Sequence, residues 1–441
     1  MEWESLLKPY RLGCPKDAYD GEKGRSEFHR DYDRIIFSTA FRRLFGKTQV
    51  VPFPDSDLTH TRLTHSLETA SVGRSLGNII KDKGSQSLRE SPYDIGALVA
   101  ASCLCHDIGN PPLGHSGECA IQNFFKDEGK KYLEKLTDQQ KEDFYRFDGN
   151  AMGFHLLTHS NPLKTKSTGG LGITYPVLAT YTKYPSASYD SNSETCNLSR
   201  KKPGLFSTDR DTYSEIAHEL HITKHSASDS WLRHPLAFLA EAADDICNTI
   251  IDYEDGYKAN IISYSEINKQ FSEIANALDS TKPKDIDKII SEREKVGYLR
   301  SKAIGSLVAQ VSNLFIEQEE DFLSGIVNTS IIKSIKSHEI IETIKKDSSK
   351  KLYNHYRVLM KEIAGNQILP GLLEIFLKAS QQAEHSRSKK ILQILPDDIT
   401  KNLEKDPYLT LMDITQYVCG MTDNYAVDMY RKLTGVEIPD Y

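Results

Sequence analysis

The chain has 441 residues, 39% of them hydrophobic and 27% charged, with a formal net charge of −7. That balance belongs to a globular protein able to bury a sizeable core, not to a disordered segment. Excess acid argues against a generally basic nucleic-acid binder, although a local basic groove is still compatible with it. Residues 1–17 show no cationic run followed by an apolar stretch, and nowhere is there a run of about 18 apolar residues. Neither a signal peptide nor a membrane span is expected. Seven cysteines, at 14, 103, 105, 119, 196, 247 and 419, form no CxxC pair and read as the scattered thiols of a cytoplasmic protein.

Along the chain, KTQVV at 47–51 is a strand candidate. Residues 62–80 carry Leu63, Leu67, Ala70, Leu76 and Ile80 near a 3.6 period, with Thr59 or Thr61 placed to cap a helix. Residues 93–105 are apolar nearly all round, as in a central helix. Pro111 and Pro112 stop it, and Gly109 would supply a left-handed cap. GITYPVLA at 172–179 is a second strand candidate, and 185–230, rich in Ser, Asp, Thr and Lys, reads as an exposed excursion. Residues 231–252 form another long apolar helix. From 258 onward the segments are amphipathic and Lys/Glu-rich. The expected fold is mainly α with a few short strands: a helical core at 1–257, and a C-terminal helical region at 258–441 packed on it.

Several residues stand out against this background. His65 lies on the first of these helices. His106 and Asp107 lie at the end of the second, where exposed carbonyls favour a nearby cation. Asp244, Asn248 and Asp252 follow an i, i+4, i+8 spacing, so they line one face of the otherwise apolar third helix. Carboxylates on a buried face are costly unless paired or metal-bound. Glu241 and Asp245 are assigned to the solvent side. Taken singly, His65 reads as a core histidine, Asp244 as the partner of an arginine, and Cys103 and Cys105 as small buried hydrophobes. Together, two histidines and two aspartates suit Mn²⁺, Fe²⁺, Mg²⁺ or Zn²⁺ and would make water near the ion more acidic. Just past the turn, His115 and Glu118 fit a proton-transfer pair in which the carboxylate orients the ring.

HTRLTHSLE at 60–68, HDIGNPPLGHSGE at 106–118 and EAADDI at 241–246 resemble the HD-domain superfamily of metal-dependent phosphohydrolases, and most closely its deoxyguanosinetriphosphate triphosphohydrolase (dGTPase) branch. The likeness extends to residues 30–52, 147–157, 174–185 and the TDNYAVDMYRKLTG stretch near the C-terminus. It implies that His65, His106, Asp107 and Asp244 bind the catalytic metal, Mn or Mg before Fe, Co or Zn. It also implies that His115 with Glu118 acts at the α-phosphate. By the same resemblance Arg62, Asn150 and Lys183 face the phosphates, and Gln49 and Asp252 meet the deoxyribose 3′-hydroxyl. The implied reaction is dNTP plus water giving deoxynucleoside plus tripolyphosphate, with dGTP the favoured substrate. Family members form oligomers, often hexamers, and some respond to single-stranded DNA or to a second nucleotide.

One position departs from the pattern. The family commonly has Tyr four residues after the last metal-binding Asp, and here Asn248 stands there. Two other readings are weighed beside this one: an HD hydrolase of another nucleotide, and a nucleotide- or DNA-responsive regulator with weak hydrolysis. SRKK at 199–202 and SRSKK at 386–390 would serve the regulator, although such charge runs are commonly just solvated faces.

Overall fold

Helices carry the architecture in the computed structural model, which describes residues 1–15, 25–49, 60–159, 170–192, 194, 197–284, 286–400, 403 and 406–437. Among these residues β-pairing is confined to isolated bridges. No helix among them is long and apolar enough to cross a membrane. The described cysteines are free thiols, and Cys196 lies outside the described residues. The helices that build or brace the site are α1 (Arg62–Lys83), α2 (Ile95–Cys105), α3 (His115–Lys126), α4 (Gly149–His159), α5 (Tyr175–Tyr181), α6 (Pro235–Lys258), α7 (His338–Ser348), α8 (Tyr356–Gln381), α9 (Pro407–Cys419) and α10 (Asp423–Thr434).

Thr61 caps α1 in a reciprocal box with Thr64, which satisfies two backbone donors at the helix start. The buried face of α1 is rotated from the one its leucines mark: Leu67 is exposed, whereas His65, Thr69, Gly73, Leu76 and Ile80 are buried. Small residues explain the rotation. A Cβ on Gly77 would lie 2.8 Å from the Gly96 Cα, so α1 and α2 touch backbone to backbone. Asp94 caps α2, accepting from the Ala97 N–H at 2.8 Å, and every residue of α2 is buried.

The turn after α2 differs from expectation. Gly109 is not a left-handed cap; positive φ occurs at Leu113 (68°) and Gly114 (61°) instead. Glycine is required at 109 for a different reason: a Cβ there would sit 2.0 Å from the Gly149 carbonyl oxygen, so α4 abuts the turn directly.

Both strand candidates are revised. Residues 47–49 pair with 60–62 through a single bridge, Thr48 to Thr61, and Val50 and Val51 lie outside the described residues. GITYPVLA instead enters α5, with Pro176 in the first turn, where its fixed φ favours a helix. All of α5 is buried, and an apolar run without periodicity does not distinguish a strand from a buried helix.

The Ser-rich excursion also turns inward in part. Ser186 and Ser188 are fully buried. Buried Asp143 accepts from the Ser188 hydroxyl, the Ser207 N–H (2.9 Å) and the Tyr408 hydroxyl (2.8 Å), and burial raises its carboxyl to about 6. Residues 193, 195 and 196 of this stretch lie outside the described residues.

Two apolar clusters fill the interior. One gathers α1, α2, α5 and α6 with the helices between 264 and 344; the other gathers α3, Ala151 and Met152 of α4, α8 and α9. From the second, α9 and α10 reach back to the HD turn. Lys47 Nζ donates to the carbonyls of Asn110 (2.5 Å) and Cys419 (2.9 Å), and its burial lowers the amine to about 8. Asp423 accepts from the N–H groups of both Thr48 (3.1 Å) and Leu113 (3.0 Å). One carboxylate therefore fixes two segments that flank the cavity. Asp423→Ala leaves both donors unpaired and should destabilise the fold by about 1–3 kcal/mol per donor. A denaturation midpoint unchanged from the native protein would show that this clasp does not contribute.

Candidate active site

Four side chains from three separate helical segments meet beside one cavity: His106, Asp107 and Asp244 line it, and buried His65 packs against His106. His65 projects from α1, His106 and Asp107 follow α2, and Asp244 sits midway along α6. The Asp244 Oδ1 lies 3.2 Å from His65 Nε2 and 3.4 Å from His106 Nε2. The donor atoms of His65, His106 and Asp107 are all within 4.8 Å of one another.

Two observations show that this set suits a metal. His106 Nδ1 lies 2.7 Å from the Cys103 carbonyl, which can only accept, so Nδ1 carries the proton and Nε2 keeps its lone pair. His106 Nε2 and Asp107 Oδ2 are both buried without a hydrogen-bond partner and stand 3.6 Å apart. That spacing is too long for a good hydrogen bond but matches atoms ligating one ion at about 2.1 Å each. Burial holds the His106 imidazole neutral, the form that ligates. Burial alone would raise Asp244, but Lys183, His106 and His65 outweigh it and keep the carboxylate well below its ordinary range. Asp107 is lowered in the same way, chiefly by Arg62, whose Nη1 donates to it at 2.8 Å.

A second His/Asp group, His155, His159 and Asp209, does not fit. Both Nδ1 atoms lie within 3.2 Å of Asp209 Oδ1, but the rings stack 4.3 Å apart at 17°. Lone pairs in near-parallel planes do not converge on one ion. The group reads as a buried carboxylate shared by two imidazoles.

Past the strained turn at Leu113 and Gly114, α3 opens on His115. Its Nδ1 lies 2.7 Å from Glu118 Oε2, and the other Glu118 oxygen accepts from the Gly149 N–H at 2.7 Å. A Cβ on Gly149 would crowd Glu118 Oε1 at 2.8 Å, so the glycine of FDGN is needed for this contact. Glu118 is buried, whereas the His115 side chain is 82% exposed and lines the cavity. Because the carboxylate only accepts, Nδ1 bears a proton and Nε2 is the ring's free end. The Glu118 hydrogen bond and charge raise the His115 pKa above its ordinary value. Burial opposes ionisation of Glu118, but His115 and then Lys202 outweigh it and lower its pKa.

The cavity encloses about 670 Å³. Arg62, Lys183, Lys202 and Lys345 bring cations to its wall, and Gln49, Asn150, Asn248 and Asp252 also line it. Their contacts are specific. Lys183 donates to Asp244 Oδ2 at 2.5 Å, and Asn150 Nδ2 donates to Asp148 at 2.7 Å. Asp252 accepts from the Tyr353 hydroxyl at 3.0 Å, and burial raises its carboxyl to about 7.

Lys202, Lys345 and Tyr353 were not singled out from sequence. Lys202 belongs to the SRKK run read as solvated, Lys345 to an amphipathic surface helix, and Tyr353 sits among lysines with no motif around it. Glu241 is also revised: it turns inward to pair with Arg233 at 2.8 Å, while Asp245 meets Lys345 at 3.2 Å.

Fold and site together define an HD-domain phosphohydrolase. The HD domain family matches residues 62–169, and the phosphohydrolase-associated domain matches 334–432. Over its whole length the chain is 37% identical to a deoxyguanosinetriphosphate triphosphohydrolase-like protein of Pseudomonas aeruginosa, which is likewise covered in full. It is 36% identical to one from Synechocystis, over 99% of this chain and all of the relative. It is 28% identical to a deoxyguanosinetriphosphate triphosphohydrolase of Yersinia enterocolitica, over 98% of each. The chain belongs to the HD-domain dGTPase family.

Binding of a metal to the folded state stabilises it, by about 2.7 kcal/mol at one hundred times Kd. Saturating Mn²⁺ should therefore raise the Tm of the native protein and leave that of His106→Ala unmoved. An equal rise in both would place the ion elsewhere.

Proposed function

We propose that the protein hydrolyses deoxynucleoside triphosphates, dGTP foremost, to deoxynucleoside and tripolyphosphate. The observation that carries this reading is the convergence of the His65/His106/Asp107/Asp244 set, the His115–Glu118 pair and the four cavity cations in one space. A divalent metal, Mn²⁺ or Mg²⁺, would be held by those four ligands and would supply charge to polarise a phosphoryl oxygen and activate water near neutral pH.

The remaining steps belong to side chains. Arg62, Lys183, Lys202 and Lys345 offset the triphosphate charge, each with N–H groups left over from its own carboxylate or cavity contacts. Water adds to the α-phosphorus and the bond to the 5′-oxygen breaks. Glu118 raises the His115 pKa and so favours the protonated ring, whose Nε2–H in this reading donates to that departing oxygen; the proton lost by water restores the balance. Gln49 and Asp252, the latter held by Tyr353, meet the sugar hydroxyl. In this reading the region from 258 onward completes the nucleotide site through Lys345 and Tyr353 and contributes oligomer contacts.

With Mn²⁺ and dGTP, chromatography should resolve deoxyguanosine and tripolyphosphate; pyrophosphate or orthophosphate would contradict the reaction. Repeating the assay with the other dNTPs, GTP, a second nucleotide or single-stranded DNA tests base preference and activation. His115→Ala should bind metal normally but lose about 10²–10⁴-fold in kcat.

The pH profile tests the assigned direction of proton transfer. If the protonated ring is the working form, kcat falls as pH rises through the raised His115 pKa. Removing the carboxylate charge lowers that pKa, so Glu118→Gln should move the fall to lower pH. A rate that instead climbs with pH through this range would make His115 a base.

A further inference from the structure

Asn248 stands where the metal ligands meet the residues assigned to the sugar. Its Nδ2 donates to Asp244 Oδ1 at 2.7 Å, and its Oδ1 accepts from Gln49 Nε2 at 3.1 Å. Beyond that bond, Gln49 Oε1 is buried without a partner, and Gln49 lines the cavity. The Gln49 backbone is itself fixed, its N–H donating to the His60 carbonyl at 3.1 Å.

Amide polarity makes these contacts a directed chain. A buried carboxylate can only accept, so the NH₂ of Asn248 must face Asp244 and its carbonyl must face Gln49. That carbonyl likewise accepts only, so Gln49 must offer its NH₂ to Asn248. The Gln49 carbonyl oxygen is then left as a buried acceptor that lacks a donor, on a residue that lines the cavity. Flipping Gln49 would set two carbonyl oxygens against each other and leave its NH₂ unpaired, which is costly in a desolvated site.

We infer that Asn248 is a positioning residue that transmits the polarity of the metal-site carboxylate to Gln49. It thereby fixes Gln49 as an acceptor for a ligand hydroxyl and steadies Asp244 for the metal. A tyrosine at this position would place its hydroxyl several carbons further from the backbone, past Asp244, so the relay depends on the residue this chain carries in its place. For the identity of the hydroxyl, the 3′-OH of a deoxynucleotide, the inference rests on the triphosphohydrolase reading.

The two ends of the relay are tested separately. Calorimetric titration of Mn²⁺ without nucleotide reads the Asp244 end, where loss of an outer contact to a ligand typically costs 10–100-fold in metal affinity. In a His115→Ala background, which slows turnover, binding of dGTP is compared with that of its 3′-deoxy analogue ddGTP. One hydrogen bond should favour dGTP by roughly three- to tenfold.

Asn248→Leu should weaken Mn²⁺ binding and reduce the dGTP preference, with Asp252 still able to meet the hydroxyl. Asn248→Asp still accepts from Gln49 and should keep the preference, while its exchange of a donor for a second carboxylate changes metal affinity. A Leu variant that retains both native metal affinity and the dGTP preference overturns the inference. If that variant does not fold, loss of the preference in Asn248→Asp overturns it. Failure of dGTP to bind a protein that binds Mn²⁺ normally counts against the triphosphohydrolase reading, and the metal titration alone then decides for Asn248.

Discussion

The Asp244 carboxylate is the contact on which the rest of the site depends. Buried on an apolar helix face, it stays ionised because Lys183, His106 and His65 surround it and Asn248 donates to it. An isolated carboxylate there would protonate or break the packing. Each of these neighbours comes with a constraint of its own. Lys183 follows directly on α5, His65 requires α1 to lie against α2 without intervening side chains, and His106 requires α2 to end where it does.

The turn between α2 and α3 carries the second requirement. It must bring His115 to the cavity that His106, Asp107 and Asp244 line without a side chain at 109, where α4 presses against the backbone, and with left-handed residues at 113 and 114. The same close approach of α4 delivers the Gly149 N–H to Glu118, which fixes that carboxylate beneath His115. Lys47, tied also to the Cys419 carbonyl of α9, and Asp423 of α10 then brace the turn. The His65/His106/Asp107/Asp244 cluster and the His115–Glu118 pair therefore belong to one interlocked unit rather than to two sites that happen to adjoin.

Much of this was legible in the sequence where periodicity and motif coincide. The 3.6 period placed α1 and a long apolar run placed α6, the Thr61 cap fell where its N–H partners need it, and the i, i+4, i+8 series from Asp244 to Asp252 does line the cavity. Legibility failed where context decides. A fully buried run such as 175–181 has no periodicity to separate helix from strand. Ser188 and Ser207 look solvated until buried Asp143 is seen to need their hydroxyls. Lys202, Lys345 and Tyr353 reach the cavity from segments whose local composition is that of surface, and only the packing of distant helices brings them in. Gly109 had the right residue type for the wrong reason: close approach, not left-handed φ, demands it.

Asn248 joins Asp244 to Gln49 across the cavity, and the proposed attack at the α-phosphorus fixes where a water oxygen ends up. Hydrolysis of dGTP by the Mn²⁺-loaded protein in ¹⁸O-labelled water, followed by mass spectrometry of both products, tests this directly. Attack at the α-phosphorus places the label in tripolyphosphate and leaves deoxyguanosine unlabelled. Label at the 5′-hydroxyl of the nucleoside would mean that carbon, not phosphorus, is attacked, and would contradict the roles given to the metal ligands and to His115.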